Sequence, residues 1–193
     1  MENFEKPTYP EAESEIAPSP LAKRLLDILP NQSGNQILEI GAREADIEGK
    51  HIGDDCVYLA RENSVTLVET GEGIISDIRE KAIKSGTDGN IKFLISQFDK
   101  LGLSENEFDA AFSLSGLDST YLPWSLKEVN RVLKPGGKAL IFIYYKMEGK
   151  LIQGPENVLE KYVQESGLQI DHKQIKVIDE EKGLEAIIFE LHK

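Results

Sequence analysis

Two short apolar segments end in residues that could hold a ligand. Val65–Glu69 ends in a carboxylate and is followed by a helical pattern. At this place in an α/β fold a carboxylate accepts hydrogen bonds from ribose hydroxyls; the alternative is a solvated acid at a strand end. Gln36–Ile40 contains Glu39 and is followed by Gly41, where the absence of a side chain allows a sharp turn and a close approach of backbone amides to a ligand. These residues predict a cofactor site.

Composition limits the kind of protein and partner. A chain of 193 residues with 40% hydrophobic and 29% charged residues suits one globular domain. The formal net charge of −12 argues against nucleic acid or an anionic membrane surface as the main partner. The single cysteine, Cys56, excludes an intramolecular disulfide and a multi-cysteine metal site. With no apolar segment long enough to span a bilayer, we expect a cytoplasmic protein without bound metal; its oligomeric state is open.

The chain divides into a short tail and one domain. Residues 1–18 are rich in proline and glutamate and bury little, so they predict a flexible acidic tail. Ser19-Pro20 is typical of a helix start, with an N-cap residue before a proline at the first helical position. We therefore expect the domain to cover residues 19–193.

Strands and helices alternate along this domain. The predicted strands are Gln36–Ile40, Val65–Glu69, Ile91–Ile95, Phe108–Ser113 and Lys138–Tyr144, and the predicted helices between or beside them are Cys56–Glu62, Ile74–Lys84, Leu122–Leu133 and Glu156–Ser166. This order is typical of an α/β fold with a parallel sheet covered by helices on both faces.

The end of the chain departs from that alternation. Two strands, Leu168–Ile178 and Leu184–Leu191, are joined by the short segment Asp179–Gly183. A parallel pair needs a long crossover connection, so this pair must be antiparallel. The sequence thus predicts a mostly parallel, seven-stranded sheet that ends in an antiparallel hairpin.

This order of elements resembles the Rossmann-like fold of the class I S-adenosylmethionine-dependent methyltransferases, in particular those called type 11. The segment Ile37-Leu38-Glu39-Ile40-Gly41 is similar to the first half of the family's glycine motif, and Leu133-Lys134-Pro135-Gly136-Gly137-Lys138 matches its helix-to-strand turn. We interpret the proline of that turn as the residue that ends the helix. The resemblance implies S-adenosylmethionine as cofactor.

The second half of the glycine motif diverges. Gly41 is followed by Ala42, and the motif's other glycines are missing there. Gly53 has the position expected of the last one, so we infer an insertion of about eight residues between them, which loops accept at modest entropic cost. The insertion either alters the cofactor pocket or is a bulge that leaves binding intact.

The resemblance implies further cofactor contacts. Thr70 follows the acidic strand end, and Ser113 ends the fourth strand, where this family borders the methyl group and the acceptor. Alignment on Phe108-Asp109 puts Gln97 where the family has an adenine-binding aspartate, with Phe98 supplying a backbone amide. An amide both donates and accepts, so Gln97 could still bind an adenine edge; the alternative is an ordinary polar loop.

No catalytic residue can be assigned. Methyl transfer from a sulfonium is an in-line displacement that positioning alone can accelerate. The histidines His51, His172 and His192 are scattered along the chain, and we expect them to be surface residues. The candidates for an acceptor pocket are the side chains near the ends of strands four and five, with helix capping and packing as alternative roles: Asp118, Tyr121, Trp124, Tyr144 and Tyr145.

Two functions remain after these observations. One is S-adenosylmethionine-dependent methyl transfer to a small-molecule or protein acceptor. The other is a catalytically inactive methyltransferase-like domain that acts as an interaction or regulatory module, which the altered glycine loop and Gln97 suggest.

Overall fold

The computed structural model describes residues 16–42, 53–113, 117, 121–148, 150–151, 154–181 and 183–193. The predicted tail at residues 1–15, the predicted insertion at residues 43–52 and Asp118 lie outside these ranges. The described end of the tail region contains Ile16, which packs against the apolar core.

The described residues form five α-helices and eight strands. The helices are α1 (Pro20–Ile28), α2 (Asp54–Leu59), α3 (Glu72–Ser85), α4 (Leu122–Val132) and α5 (Glu156–Ser166); the strands are β1 (Gln36–Ile40), β2 (Ser64–Glu69), β3 (Ile91–Ile95), β4 (Phe108–Ser113), β5 (Leu133–Met147), β6 (Lys150–Leu151), β7 (Gln169–Asp179) and β8 (Leu184–His192). None of these helices is long and apolar enough to cross a membrane.

Seven strands make one continuous sheet in the order β3-β2-β1-β4-β5-β8-β7. The first five are parallel, and β8 pairs antiparallel with both β5 and β7. This confirms the predicted parallel sheet with a terminal antiparallel hairpin. The two-residue strand β6, which the sequence did not predict, pairs with the end of β5. The strand order reverses between β1 and β4, the point at which α/β sheets open a crevice for ligands.

Helices cover both faces of the sheet, as predicted. On one face, α1, α2 and α3 bury residues such as Leu25, Val57 and Ile78 against the strands. On the other face, α4 and α5 bury residues such as Leu126 and Leu159. Each helix has an apolar stripe that must be removed from water, and the sheet offers an apolar surface on each side.

The first helix begins where the sequence predicts. The hydroxyl of Ser19 accepts a hydrogen bond from the backbone N–H of Ala22, and Pro20 occupies the first helical position. This cap satisfies one of the N–H groups that the start of a helix leaves without a partner.

Several predicted bounds differ from the structure by one to five residues, and those of α2 and of the α4–β5 junction have an identifiable place in the fold. The predicted helix Cys56–Glu62 instead runs from Asp54 to Leu59, so it begins directly after Gly53. The helix predicted as Leu122–Leu133 ends at Val132, before Pro135 is reached, and β5 begins at the next residue rather than at Lys138. The reason is tertiary: Leu133 already pairs with Phe108 of β4, before a bulge that precedes the pairing of Lys138 with Ala110.

Candidate functional site

Glu69 joins the carboxyl ends of two neighbouring strands. It is the last residue of β2, and its side chain is 2% exposed. One carboxylate oxygen accepts a hydrogen bond from the backbone N–H of Ala42 at 2.5 Å, and the other accepts one from the N–H of Thr70 at 3.0 Å. A carboxylate offers about four lone-pair positions. The two bonds to the backbone therefore hold the group in place and leave acceptor positions for a ligand.

The backbone turns sharply at the end of β1. Gly41 has φ +70°, in the left-handed region that glycine adopts without strain. Its N–H donates to the carbonyl oxygen of Val68 in β2 at 2.9 Å. This turn directs the next N–H, that of Ala42, toward Glu69, so four of the residues predicted from the sequence (Gly41, Ala42, Glu69 and Thr70) meet at one point.

The segment after β3 is tied to the same edge. The N–H of Ser96 donates to the carbonyl oxygen of Glu69 at 3.0 Å, and the N–H of Lys100 donates to that of Gln97 at 3.1 Å. The side chain of Gln97 is exposed at this turn, whereas Phe98 packs against the core beneath α4. The amide of Gln97 is thus accessible to a ligand, and Phe98 anchors the loop.

An ion pair on α4 holds the continuation of this loop. Glu128 accepts hydrogen bonds from Arg131 and from the backbone N–H of Leu101, and Arg131 donates to the carbonyl oxygen of Leu103. The charge-assisted bond from Arg131 lowers the pKa of Glu128. The sequence did not reveal the bonds of this pair to the loop, because Leu101 and Leu103 lie 27 and 28 residues before their partners on α4.

Ser113 closes the sheet at the point where the strand order reverses. It is the last residue of β4 and is fully buried. Its hydroxyl donates to the carbonyl oxygen of Ile40 in β1 at 2.9 Å. This bond fixes the ends of β1 and β4 relative to each other, and the predicted contact of Ser113 with a cofactor stays a prediction.

Comparison with known proteins agrees with this geometry. A family profile described as a methyltransferase domain matches residues 49–137. The ubiquinone/menaquinone biosynthesis C-methyltransferase UbiE of Pseudomonas entomophila (strain L48) is 30% identical over 130 residues, which are 63% of this chain and 46% of that protein. The chain thus spans about half the length of the curated relatives it matches.

Solved structures share the fold over most of the chain. The geranyl diphosphate C-methyltransferase of Streptomyces coelicolor A3(2) has a TM-score of 0.70 at 12% identity, with 89% of this chain and 78% of that chain covered. The [4+2]-cyclase SpnF has a TM-score of 0.71 at 16% identity, with 90% and 79% covered. The chain has the Rossmann-like fold of the class I S-adenosylmethionine-dependent methyltransferases and is similar to them in sequence. Since the cyclase shares the fold, the fold alone does not determine the reaction.

The residues at the edge fit the cofactor of this methyltransferase family. S-adenosylmethionine presents two ribose hydroxyls, and a buried carboxylate with remaining acceptor positions suits them. Glu69 supplies that carboxylate at the end of β2, and Gly41 brings the backbone close beside it. This edge of the sheet therefore has a carboxylate that can accept hydrogen bonds from hydroxyls and, beside it, a close backbone, in the expected order.

Two of the predicted cofactor residues are packed against neighbouring helices of the domain. Gly53 precedes α2 with φ +78°, and a Cβ atom there would lie 2.4 Å from Cγ1 of Ile78 in α3. Glu39 is buried beside Cys56 of α2, and burial, followed by the charge of Glu39 and its hydrogen bond, raises the pKa of that thiol. Their predicted contact with a cofactor stays a prediction.

A link between the first two helices escaped the sequence analysis. The backbone N–H and the hydroxyl of Ser19 both donate to the carboxylate of Asp55, at 2.7 and 2.5 Å. Asp55 is buried in the first turn of α2. Ser19 was expected only as a helix cap, and nothing in the sequence connects it with a residue 36 positions later.

The candidate acceptor residues separate onto two faces. Tyr121 immediately precedes α4, Trp124 lies in its first turn, and both are about half exposed. Tyr145 packs against the core on the face that α4 covers. Tyr144 lies on the opposite face, where its ring meets that of Phe142 edge to face at 4.9 Å. Its hydroxyl is buried without a hydrogen-bond partner among the described residues, and burial raises its pKa to about 12.

Proposed function

We propose that this chain binds S-adenosylmethionine at the carboxyl edge of β1, β2 and β4 and transfers its methyl group to a small-molecule acceptor. The single observation that carries the proposal is the environment of the Glu69 carboxylate. This buried carboxylate is held by two backbone N–H groups at the end of β2, next to the glycine turn that follows β1. A carboxylate at this place is suited to accept hydrogen bonds from ribose hydroxyls.

Three parts of this edge would contact different parts of the cofactor. Glu69 accepts hydrogen bonds from the ribose hydroxyls, and the turn at Gly41 and Ala42 lets the backbone approach the rest of the cofactor. Gln97 offers an amide to the adenine edge from the loop that Glu128 and Arg131 hold in place.

The chemistry itself requires little from side chains. Bound S-adenosylmethionine supplies an electrophilic methyl group on a sulfonium. The protein then contributes by holding the acceptor in line with that methyl group, which can supply a large part of the rate enhancement. The bond between Ser113 and Ile40 keeps the floor beneath this point rigid. No general base is assigned, because none is needed unless the acceptor must lose a proton.

A small molecule is the acceptor we favour. UbiE is named for ubiquinone and menaquinone biosynthesis, and the similar Streptomyces structure is named for geranyl diphosphate. Both names refer to small molecules, which supports the same class here. The protein acceptor and the inactive module expected as alternatives have no observation in their favour. The cytoplasmic location expected from the sequence stays a prediction that cell fractionation would check.

Calorimetry with S-adenosylmethionine tests the proposal. We expect saturable binding, and Glu69→Ala should weaken it by tenfold to a hundredfold, since hydrogen bonds to a charged group contribute about 1.5–3 kcal/mol each. Asp77→Ala is the matched control, because it removes one exposed acid from the neighbouring helix α3 and should leave binding unchanged. Absence of binding by folded protein, or equal affinity of Glu69→Ala and wild type, would overturn the proposal.

Turnover needs a separate measurement. Formation of S-adenosylhomocysteine with a panel of small-molecule acceptors would establish the transferase activity. Cofactor binding without turnover on any acceptor would favour the non-catalytic alternative.

A further inference from the structure

A group of exposed apolar side chains lies beyond the cofactor edge. Among the described residues, eight large apolar side chains are strongly exposed, and five of them lie on β6, on β7 and at the start of α4. We call these five the apolar ledge; its members are Tyr121, Trp124, Leu151, Ile175 and Val177.

The ledge exists because β5 is much longer than β4. Ser113, the last residue of β4, pairs with Ile141, and β5 continues to Met147. Over this extension β6 pairs with β5, while β8 occupies the other side of β5. The strands β6, β5, β8 and β7 thus project past the carboxyl ends of the other strands.

The pairing register puts the strand members of the ledge on one face. Leu151 pairs with Lys146, Lys146 pairs with Glu185, and Glu185 pairs with Val177, so these four side chains form one row. Directly paired residues of antiparallel strands point to the same face. Ile175 pairs with Ile187, which is buried in the core beneath α4 and α5. The row therefore continues the core face into solvent.

Helix α5 stops short of this row. Its residues Glu156 and Glu160, in the first two turns, both form ion pairs with Lys173 of β7. Ile175 and Val177 lie two and four residues further along the strand, about 7 and 13 Å beyond Lys173. Helix α5 covers β7 as far as Lys173 and thus leaves the side chains of Ile175 and Val177 exposed to water.

The charge within the row is balanced. Lys146 and Glu185 form an ion pair with each other at 2.8 Å. The ledge therefore offers an apolar surface of little net charge, although the whole chain carries −12. An uncharged aliphatic group suits such a surface better than a charged one.

We infer that the apolar ledge binds the aliphatic tail of the methyl acceptor. The inference rests on the proposed function, because it takes the reacting end of the acceptor to lie near Ser113. Lys146 is five residues beyond the residue paired with Ser113, or about 17 Å along β5. An acceptor with its head at the cofactor edge and an acyl or isoprenoid chain of that length would reach the row of Leu151 and Val177.

The single tryptophan makes the ledge directly observable. Trp124 is the only tryptophan of the chain and belongs to the ledge. We would titrate the protein with 1-hexanol, 1-octanol and 1-decanol and follow its emission. We expect a saturable blue shift with an affinity that rises about twofold per added methylene, since one side of the tail stays in water and a fully buried methylene would give about fourfold.

Variants connect the signal with the strands. Val177→Asp and Leu151→Asp should each weaken 1-decanol binding at least tenfold. Ile83→Asp is the matched control, because Ile83 is exposed to a similar degree but lies on α3, and it should bind as wild type does. Far-ultraviolet circular dichroism would verify that each variant is folded.

The result separates this inference from the proposed function. If the tryptophan emission does not shift, or if Ile83→Asp weakens 1-decanol binding as much as the ledge variants do, the ledge is not a tail site. Binding of S-adenosylmethionine in calorimetry could still be observed in that case. If the protein binds 1-decanol normally but does not bind S-adenosylmethionine, the proposed function is wrong. The assignment of the tail to a methyl acceptor is then wrong as well. A concentration-dependent dimer that Val177→Asp dissociates, without decanol binding, would instead make the ledge an interface between copies.

Discussion

One carboxylate oxygen of Glu69 lies 2.5 Å from the backbone nitrogen of Ala42, and this bond connects the end of β2 with the turn after β1. The other oxygen accepts from Thr70. Glu69 therefore shapes the edge of the sheet as well as offering a place for a ligand.

Replacement of Glu69 by glutamine should destabilise the fold. The amide retains one acceptor oxygen, so one of the two backbone N–H groups would face an NH₂ group. We expect a loss of about 1–3 kcal/mol in the free energy of unfolding, the cost of leaving a buried donor without a partner. Urea denaturation measures it. Asp77→Asn, at an exposed position of α3, should change stability by less than about 0.5 kcal/mol, and an equal midpoint for Glu69→Gln and wild type would contradict the prediction.

Gly53→Ala should destabilise more than Gly34→Ala. Both glycines have positive φ, +78° and +76°, so both variants bear the strain of a left-handed residue, about 1 kcal/mol or more. A Cβ at Gly34 meets no atom within 4 Å, whereas one at Gly53 meets Ile78 at 2.4 Å. We expect an additional 1–3 kcal/mol at Gly53, roughly the cost of overpacking.

The partner residue provides the check on this explanation. Ile78→Ala removes the side-chain atoms that the new methyl group would meet. In thermal or urea unfolding, the double variant Gly53→Ala/Ile78→Ala should therefore lose less stability than the sum of the single variants. Strict additivity would show that the clash is not the cause.

Ser19 and Asp55 should be energetically coupled. The two hydrogen bonds between them join the start of α1 to the first turn of α2. A double-mutant cycle with Ser19→Ala and Asp55→Asn should give a coupling energy of about 0.5–3 kcal/mol, as for other residues in direct contact. Ser19→Ala also removes the helix cap at Ala22, but that contribution cancels in the cycle. The cycle measures the hydroxyl bond, since alanine keeps the backbone N–H, and a coupling energy near zero would refute a contribution of that bond.

Glu128 should make stability depend on acid pH. Its pKa is lowered chiefly by the hydrogen bond from Arg131, so its carboxylate stabilises the fold above the unfolded pKa, about 4.3. That contribution is lost as the pH falls through the lower pKa of the folded state. Glu128→Gln should therefore be less stable than wild type at pH 7, with a difference that shrinks below about pH 4 in urea unfolding. A difference constant from pH 7 to pH 3 would exclude the ion pair as its source.

Tyr144→Phe should leave the fold at least as stable as wild type. The hydroxyl has no hydrogen-bond partner among the described residues, so its removal costs no bond there. In wild type the buried phenol, with a pKa of about 12, should make stability fall between about pH 10 and 12. Ultraviolet titration near 295 nm should show one tyrosine that ionises at a higher pH than the others, and the variant should lack it. A destabilisation above about 1 kcal/mol would mean that the hydroxyl is bonded in the native protein.

Elements formed by continuous apolar segments were predictable from the sequence. The bounds of β1, β3 and β4 agree with the prediction to the residue, because each is a short, largely apolar run bounded by polar or glycine residues. The terminal hairpin followed from the length of its connection. The start of β5 was not predictable, since it depends on the pairing of Leu133 with Phe108 in another strand.

The candidate site divides in the same way. The sequence by itself determined that an acid ends β2 and that a glycine follows β1, because both are properties of local pattern. Only the tertiary structure decided that Glu69 bonds to Ala42, that Gly53 packs against Ile78, and that the end of β5 carries an apolar ledge. Each of these depends on which elements become neighbours in the folded sheet, and contacts between residues distant in the chain leave no periodic signal in a single sequence.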